Sequence, residues 1–286
     1  MTVSMWTLEV DVLLKEYAMS TRRKCRSYFS GYSNEAFKPY YLHVPKTGTS
    51  FQRAIVGVFC PRCGYKLLRE IKGHPECSEC KAQFSSLLEG HPPFRGGDPR
   101  ALVFMYRSPR ERVVSGYFHL YHGCQRLQKR YNISETLPAE RYHDFLRSKL
   151  LHEHGGIVDY ASCVSGCVTN MLTGEKCGGT LPSLNKTALA IQYIQDAAFI
   201  GLQERWEASL RLFFSIFERT DLHTGAPLLS FLMENMRPGT AKDDEVNEAS
   251  RVLKESGFRD KDELLETAVM KKFNLLTHHT SCSKQT

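Results

Sequence analysis

The segment from Tyr41 to Gln52, Tyr-Leu-His-Val-Pro-Lys-Thr-Gly-Thr-Ser-Phe-Gln, constrains the fold of this chain more than any other. The apolar run from Tyr40 to Val44 predicts a strand, and a helix is expected from about Ser50 to Val58. A strand–loop–helix unit directs backbone N–H groups and a helix N-terminus at an anion. Lys46 adds a positive charge, and the hydroxyls of Thr47, Thr49 and Ser50 add donors. The sequence therefore predicts an α/β fold with a site for phosphate-like groups.

The loop does not have the order of an ATP-binding Walker A loop. That pattern places its lysine after the last glycine and follows it with a hydroxyl that binds magnesium. Here Lys46 precedes Gly48, and the next apolar strand, Ala101–Tyr106, is followed by Arg107 instead of a metal-binding aspartate. Taken alone, the segment is equally well explained as an ordinary strand-to-helix turn capped by Thr or Ser.

A second anion-binding element follows that strand, with the sequence Arg-Ser-Pro-Arg-Glu-Arg-Val-Val-Ser-Gly-Tyr over residues 107–117. Pro109 suits the first turn of a helix, with Ser108 as its N-cap. Arg107 would lie at the strand end and Ser115 two turns into the helix, and arginine suits bidentate recognition of phosphate. The alternative is a capped amphipathic helix with solvated arginines. Two such strand–helix elements in one chain favour anion binding.

Both elements resemble donor-binding motifs of the sulfotransferases. Pro45–Ser50 is similar to their 5′-phosphosulfate loop, and residues 107–117 are similar to their 3′-phosphate motif, Arg-x-Pro-x-x-Arg-x-x-Ser-x-Tyr. The chain looks like the membrane-anchored, Golgi-type carbohydrate sulfotransferases, especially the branch with heparan sulfate 2-O-sulfotransferase. Further matches lie at Leu88–Phe94, Thr169–Gly174 and Ala198–Leu210, so the resemblance covers roughly residues 39–275. Many relatives have Lys-Thr-Gly-Gly-Thr-Ser, whereas this loop has a single glycine, as in the N-sulfotransferase branch.

The resemblance implies a P-loop-like central parallel sheet flanked by helices. It also implies transfer of a sulfuryl group from 3′-phosphoadenosine 5′-phosphosulfate (PAPS) to a hydroxyl of a carbohydrate, or to an amine. Lys46 would stabilise the charge that develops on the departing 5′-phosphate. The donor-binding residues implied by the motifs are Lys46, Thr47, Gly48, Thr49, Ser50, Arg107 and Ser115. A nucleotide-dependent kinase and a zinc-ribbon nucleic-acid-binding module remain as alternatives.

His91 is the expected general base for the acceptor hydroxyl. It follows the apolar stretch Phe84–Leu88, and Gly90 and the two prolines after it predict a turn that places it near a strand end. It also matches the Gly-His of the family branch, in which the base is a histidine. Other possible bases are His119, His122, His152 and His154, whereas His43 is expected to pack under the loop.

The segment 60–80 reads as a small Cys-rich insertion in the domain. The pairs Cys60/Cys63 and Cys77/Cys80 have the spacing of a zinc ribbon, which predicts a structural zinc site. Two disulfides are the alternative, and an oxidising compartment would favour them. Elsewhere, Cys167 and Cys177 flank a loop and are close enough in sequence to pair.

The whole chain has 286 residues, of which 42% are hydrophobic and 24% charged, with a formal net charge of +7. This composition suits one large α/β domain, and the positive charge suits a polyanionic donor and an acidic glycan. We expect residues 1–38 to form an amphipathic helix and a basic linker and residues 39–286 to form the sulfotransferase domain. The sequence shows no signal peptide or anchor helix, so the Golgi location and membrane association implied by the resemblance would need a missing or atypical anchor. Two glycosylation sequons, at Asn132 and Asn185, weakly favour a secretory compartment, and no nucleic-acid partner is expected.

Overall fold

The structure is a computed structural model that describes residues 37–48, 50–60, 77, 91–132, 156–217, 232 and 243–282. The predicted N-terminal helix falls almost entirely outside these residues, as does most of the Cys-rich insertion. Among the described residues, no helix combines the length and the apolar character needed to cross a lipid bilayer.

Three parallel strands and nine α-helices make up the described architecture. The strands are β1 (Tyr40–Tyr41), β2 (Leu102–Tyr106) and β3 (Phe199–Leu202). The helices before β3 are α1 (Phe51–Phe59), α2 (Pro109–Tyr117), α3 (Gln125–Arg130), α4 (Ile157–Val164), α5 (Cys167–Leu172) and α6 (Leu184–Asp196). The helices after β3 are α7 (Trp206–Phe217), α8 (Asp243–Glu255) and α9 (Glu263–Cys282).

The sheet has the order β1-β2-β3, with Tyr40 opposite Leu102 and Val103 opposite Phe199. All five residues of β2 are buried, as expected for the central strand of a parallel sheet covered on both faces. The predicted strand at Tyr40–Val44 is shorter than expected, although Leu42 continues its ladder with a 3.0 Å N–H bond to the Val103 carbonyl. Because the strands are parallel, their carboxyl ends meet at one edge, and the loops after β1 and β2 emerge there side by side.

Aromatic packing fixes α1 against the sheet. The rings of Phe51, Phe199 and Phe213 are all buried, with centroids 4.9 Å apart for Phe51–Phe213 and 5.6 Å apart for Phe51–Phe199. Each of these side chains comes from a different element, namely α1, β3 and α7. Complete burial of one such ring is worth about 1.5–3 kcal/mol, so this contact stabilises the start of α1 where the anion loop ends.

A second apolar cluster lies between α2, α4 and α8, and it holds the helix of the second motif. A disulfide between Cys124 and Cys163 joins the segment after α2 to α4. The predicted pairing of Cys167 with Cys177 is confirmed. The four-residue spacing of Cys163 and Cys167 predicts that they share one helix face, but Gly166 adopts a φ of 72° and separates α4 from α5, so the two cysteines lie on different helices.

Candidate active site

The loop after β1 turns sharply at Lys46 and Gly48. Lys46 has a φ of 65°, which costs about 1–2 kcal/mol for a residue with a side chain. Gly48 has a φ of 109°, and a Cβ atom there would lie 2.4 Å from Gln203 Oε1. The backbone conformation therefore requires the single glycine of the motif, and a Cβ atom there would also displace the end of the Gln203 side chain. Non-glycine residues held at positive φ are concentrated at functional sites, and Lys46 is such a residue.

The hydroxyls of this loop differ in whether they already make a hydrogen bond within the protein. Thr47 is 1% exposed, and its Oγ1 donates to the Val44 carbonyl at 2.9 Å, so this hydroxyl holds the loop together. Ser50 stands at the N-cap of α1 but makes no side-chain capping bond, which leaves its hydroxyl available at the helix N-terminus. Thr49 lies outside the described residues.

Arg107 connects the two motifs. It follows the last residue of β2, and its Nη1 atom donates to the Lys46 carbonyl at 3.5 Å. Burial lowers the pKa of Arg107, while Glu111 and Glu204 act in the opposite direction. Glu111 lies 3.6 Å from the other guanidinium nitrogen. The arginine of the second motif and the lysine of the first thus meet at one corner of the sheet.

The N-terminus of α2 has an anionic neighbour from the chain itself. Ser108 is its N-cap, as predicted, and the Ser108 N–H donates to Glu204 Oε1 at 2.7 Å. A carboxylate at this position shows that the helix end accepts an anion. Ser115 lies two turns into the helix as expected, and it is partly buried.

Arg112, the second arginine of the motif, does not face the corner. Its side chain is 3% exposed and lies 3.1 Å from Asp260 Oδ2 and 3.2 Å from Asp262 Oδ2. Burial and the Asp260 carboxylate raise the pKa of Asp262 to about 6, and Arg112 acts against this rise together with amide donors of α5. The alternative of solvated arginines is therefore wrong for Arg112, although Arg110 on the same helix is exposed.

His91 lies beside the loop, as the sequence predicts. Its Nδ1 atom is 2.7 Å from the carbonyl oxygen of His43, three residues before Lys46. His43 itself is 5% exposed beneath the loop, and its Nδ1 atom accepts a hydrogen bond from Gln52 Nε2 at 3.1 Å. Burial lowers the pKa of His43 well below its usual value, so this ring is neutral at pH 7.

His122, one of the alternative bases, is the residue that the structure brings to His91. The two Nε2 atoms are 2.8 Å apart. Burial is the main cause that lowers the pKa of His122, to about 3, and the neighbouring His91, His119 and Lys46 act in the same direction. The sequence gives little sign of this contact, because thirty-one residues separate the two histidines.

The turn that carries His122 is strained and firmly held. Leu120 and Tyr121 both have positive φ angles, 57° and 49°, at a cost of about 1–2 kcal/mol each. The Tyr160 hydroxyl donates to the His122 carbonyl at 2.6 Å. A Cβ atom on Gly123 would lie 3.0 Å from Cys177 Sγ, so the turn packs directly against the disulfide of that cysteine. Only Gly123 signals such a turn in the sequence.

Several buried polar atoms around the loop have no partner among the described residues. They are His43 Nε2, Gln203 Oε1 and Trp206 Nε1. Gln203 and Trp206 are the two residues that a Cβ atom on Gly48 would meet. Unpaired buried polar groups are costly, and a bound ligand is one way to satisfy them.

The predicted zinc ligands can be followed at two positions. Cys60 and Cys77 are both buried and both disulfide-bonded, so neither sulfur is a thiolate that can bind zinc. The disulfide alternative is the state seen at these two cysteines, and Cys63 and Cys80 lie outside the described residues. In the part of the chain that the structure describes, no group of three or more His, Cys, Asp or Glu side chains is arranged to hold a metal ion.

Four of the residues singled out from the sequence thus meet at one corner: Lys46, Gly48, His91 and Arg107. Their contacts run through the backbone of residues 43–48, which approaches both Arg107 and His91. Arg112 lies outside this arrangement, and His122 joins it. Comparison of the chain with protein-family models, with curated proteins and with solved structures found no match.

Proposed function

We propose that this chain is a sulfotransferase that moves a sulfuryl group from PAPS to a hydroxyl of a carbohydrate. One observation carries the proposal: two backbone carbonyls of the loop at residues 43–48 are contacted by the candidate residues, that of Lys46 by Arg107 and that of His43 by His91. Two cationic groups and a histidine at one corner supply the parts that such a transfer needs. In this interpretation the strand–loop–helix unit is P-loop-like and holds the 5′-phosphosulfate.

The residues at the corner fit this donor. Lys46 brings a positive charge, Ser50 an uncommitted hydroxyl at a helix N-terminus, and Arg107 a fork suited to phosphate. Ser115 and the N-terminus of α2 would serve the 3′-phosphate, with Glu204 withdrawn from the Ser108 N–H. The donor supplies an activated sulfuryl group whose transfer leaves charge on the 5′-phosphate.

The roles of the protein groups follow from that charge. Lys46 stabilises the departing phosphate, because a fixed cation at low dielectric lowers the barrier most where charge develops. The corner also orients the donor for in-line attack. His91 is the base on which we expect the proton of the acceptor to end. A carbohydrate acceptor is supported by the family resemblance and by the formal net charge of +7.

Donor binding tests the first half of the proposal. Calorimetric titration with adenosine 3′,5′-bisphosphate should detect binding to the wild type. Lys46→Met and Arg107→Met should each weaken that binding about tenfold to a hundredfold, since each removes a charge-assisted hydrogen bond. Arg110→Met is the matched control, because Arg110 is an exposed arginine three residues from Arg107.

Transfer tests the second half. Labelled sulfate from PAPS should appear on members of a panel of desulfated glycosaminoglycans, with tyrosine peptides as the competing acceptor class. His91→Ala should abolish transfer and leave bisphosphate binding near the wild-type value. A wild-type protein that neither binds the bisphosphate nor transfers sulfate would remove the proposal, and a fully active His91→Ala variant would remove the role of His91.

A further inference from the structure

His91 has a fixed tautomer in this structure. Its Nδ1 atom lies 2.7 Å from the His43 carbonyl oxygen, which can only accept a hydrogen bond. Nδ1 therefore carries a hydrogen. In the neutral ring, the lone pair of His91 is then on Nε2.

That lone pair is already occupied. His91 Nε2 lies 2.8 Å from His122 Nε2, and two ring nitrogens at this distance must share a hydrogen between them. Because neutral His91 has no hydrogen on Nε2, the shared hydrogen belongs to His122. A neutral His122 with its hydrogen on Nε2 has its own lone pair on Nδ1.

The histidines therefore form a directed chain from the protein interior outwards: His43 carbonyl, His91, His122. Its outer end is His122 Nδ1, which has no hydrogen bond to any residue that the structure describes, on a ring that is only partly buried. A hydroxyl at this lone pair displaces no hydrogen-bond partner that the structure describes, whereas a hydroxyl at His91 Nε2 requires His122 to leave.

The surroundings oppose such a departure. Tyr160 of α4 holds the His122 carbonyl, the strained residues Leu120 and Tyr121 precede it, and the Cys124–Cys163 disulfide follows it. Strained backbone persists only where its surroundings determine it, so the placement of this imidazole is built into the fold.

We propose that His122 Nδ1 takes the proton of the acceptor hydroxyl while the Nε2 hydrogen of His122 passes to His91 Nε2. The acceptor O–H bond and the His122 Nε2–H bond break, and N–H bonds form at His122 Nδ1 and at His91 Nε2. The positive charge then rests on His91, where both N–H groups have acceptors: the His43 carbonyl and His122 Nε2. This inference rests on the proposed sulfuryl transfer and adds His122 to it as a catalytic residue.

The electrostatics of the pair agree with this direction of transfer. Burial is the main cause that lowers the pKa of His122, and three neighbours lower it further: His91 from the preceding segment, His119 from its own turn and Lys46 from the loop. A ring in this position passes a proton on and does not retain it. The positive charge instead ends on His91, whose Nδ1–H donates to the His43 carbonyl.

The first experiment needs neither donor nor acceptor. In ¹⁵N-histidine NMR of the ligand-free protein at neutral pH, His91 should be protonated at Nδ1 and His122 at Nε2, with a hydrogen-bonded N–H signal shared by the two rings. That signal should be absent in His122→Phe and in His91→Ala. A His122 ring protonated at Nδ1 and unprotonated at Nε2 would overturn the proposal.

The second experiment uses transfer with three variants of His122. His122→Gln keeps an N–H that can donate to His91 but has no basic nitrogen, and we expect kcat to fall about 10²- to 10⁴-fold, the usual contribution of a general base. His122→Phe should behave alike, and added imidazole should partly restore His122→Ala. His278→Gln, on the exposed side of α9, is the matched control.

Bisphosphate binding and thermal midpoints close to wild type identify a variant as folded. If folded His122→Gln transfers sulfate at the wild-type rate, the acceptor proton goes to His91 directly and the inference is refuted, while the proposed function stands. If His122→Ala is inactive and imidazole does not restore it, the role of His122 as a proton acceptor is also refuted. A wild type that binds no bisphosphate and transfers no sulfate refutes both proposals.

Discussion

Arg112 offers the sharpest test of how the second motif is held in place. Its guanidinium is buried against Asp260 and Asp262, so Arg112→Met would leave two carboxylates in the interior without their cation. Removing one partner of a buried ion pair costs about 3–5 kcal/mol. Arg110→Met changes an exposed arginine of the same helix and should cost at most about 0.5 kcal/mol.

Urea unfolding with the disulfides intact, followed by tryptophan fluorescence, measures this difference. At a slope of about 3 kcal/mol per molar, the Arg112→Met midpoint should fall by about 0.8–1.7 M relative to that of Arg110→Met. The defect should also depend on pH. The pKa of Asp262 is raised to about 6, and without Arg112 it should rise further, since Arg112 lowers it. Protonation neutralises the stranded carboxyl of the variant at a higher pH than in the wild type, so the loss of stability should shrink as the pH falls towards about 6 from above.

A double variant, Arg112→Met with Asp262→Asn, should recover part of the loss, because it removes one of the two unpaired carboxylates. Equal midpoints for Arg112→Met and Arg110→Met would refute the reasoning. A defect that grows on acidification would refute it too, since the stranded charge would then not be its cause.

Two further outcomes follow from the loop and the histidines. Gly48→Ala should destabilise the protein by about 1–3 kcal/mol and weaken bisphosphate binding, because its Cβ atom would meet Gln203 and its backbone would be held at a φ of 109°. An unchanged thermal midpoint and an unchanged bisphosphate affinity would contradict the described loop. Burial lowers the pKa values of His43 and His122, so at these two residues the unfolded chain binds more protons below about pH 6.5. Asp262, whose pKa is raised to about 6, acts in the opposite direction below that pH but offsets only one of the two histidines, so stability should fall as the pH decreases from about 6.5. Thermal midpoints between about pH 7.5 and 4.5 measure this, with a shallower fall expected for His122→Phe; a midpoint that rises on acidification would contradict it.

Much of the fold could be predicted from local sequence patterns. The apolar run of β2, Pro109 after Ser108 and the apolar spacing of α7 predicted these elements within a few residues. The amphipathic pattern predicts a final helix from Asp260 to Phe273, whereas the structure has it from Glu263 to Cys282. Asp260 and Asp262 lie just before this start, and both form ion pairs with Arg112, which is far away in the sequence.

Only part of the candidate site could be predicted from the sequence, again because some of its contacts join residues that lie far apart in the chain. Lys46, Arg107 and His91 belong to short motifs whose spacing carries information. The roles of Arg112 and His122 depend on partners that lie 148 and 31 residues away, respectively. Local sequence patterns do not indicate such contacts. The positive φ angles at Leu120 and Tyr121 could not be predicted either, because residues of these types rarely adopt them.

The disulfides beside His122 make one half of the corner more sensitive to reduction than the other half. Lys46 and Arg107 are placed by strands that contain no cysteine, whereas the turn of His122 is tied by Cys124 and packs against the bridge of Cys177. A thiol reductant should therefore relax the proton-accepting half before the anion-binding half. The reduced protein would still capture the donor but would turn it over poorly. Activity would then report whether the chain folded in an oxidising environment, even where donor affinity does not.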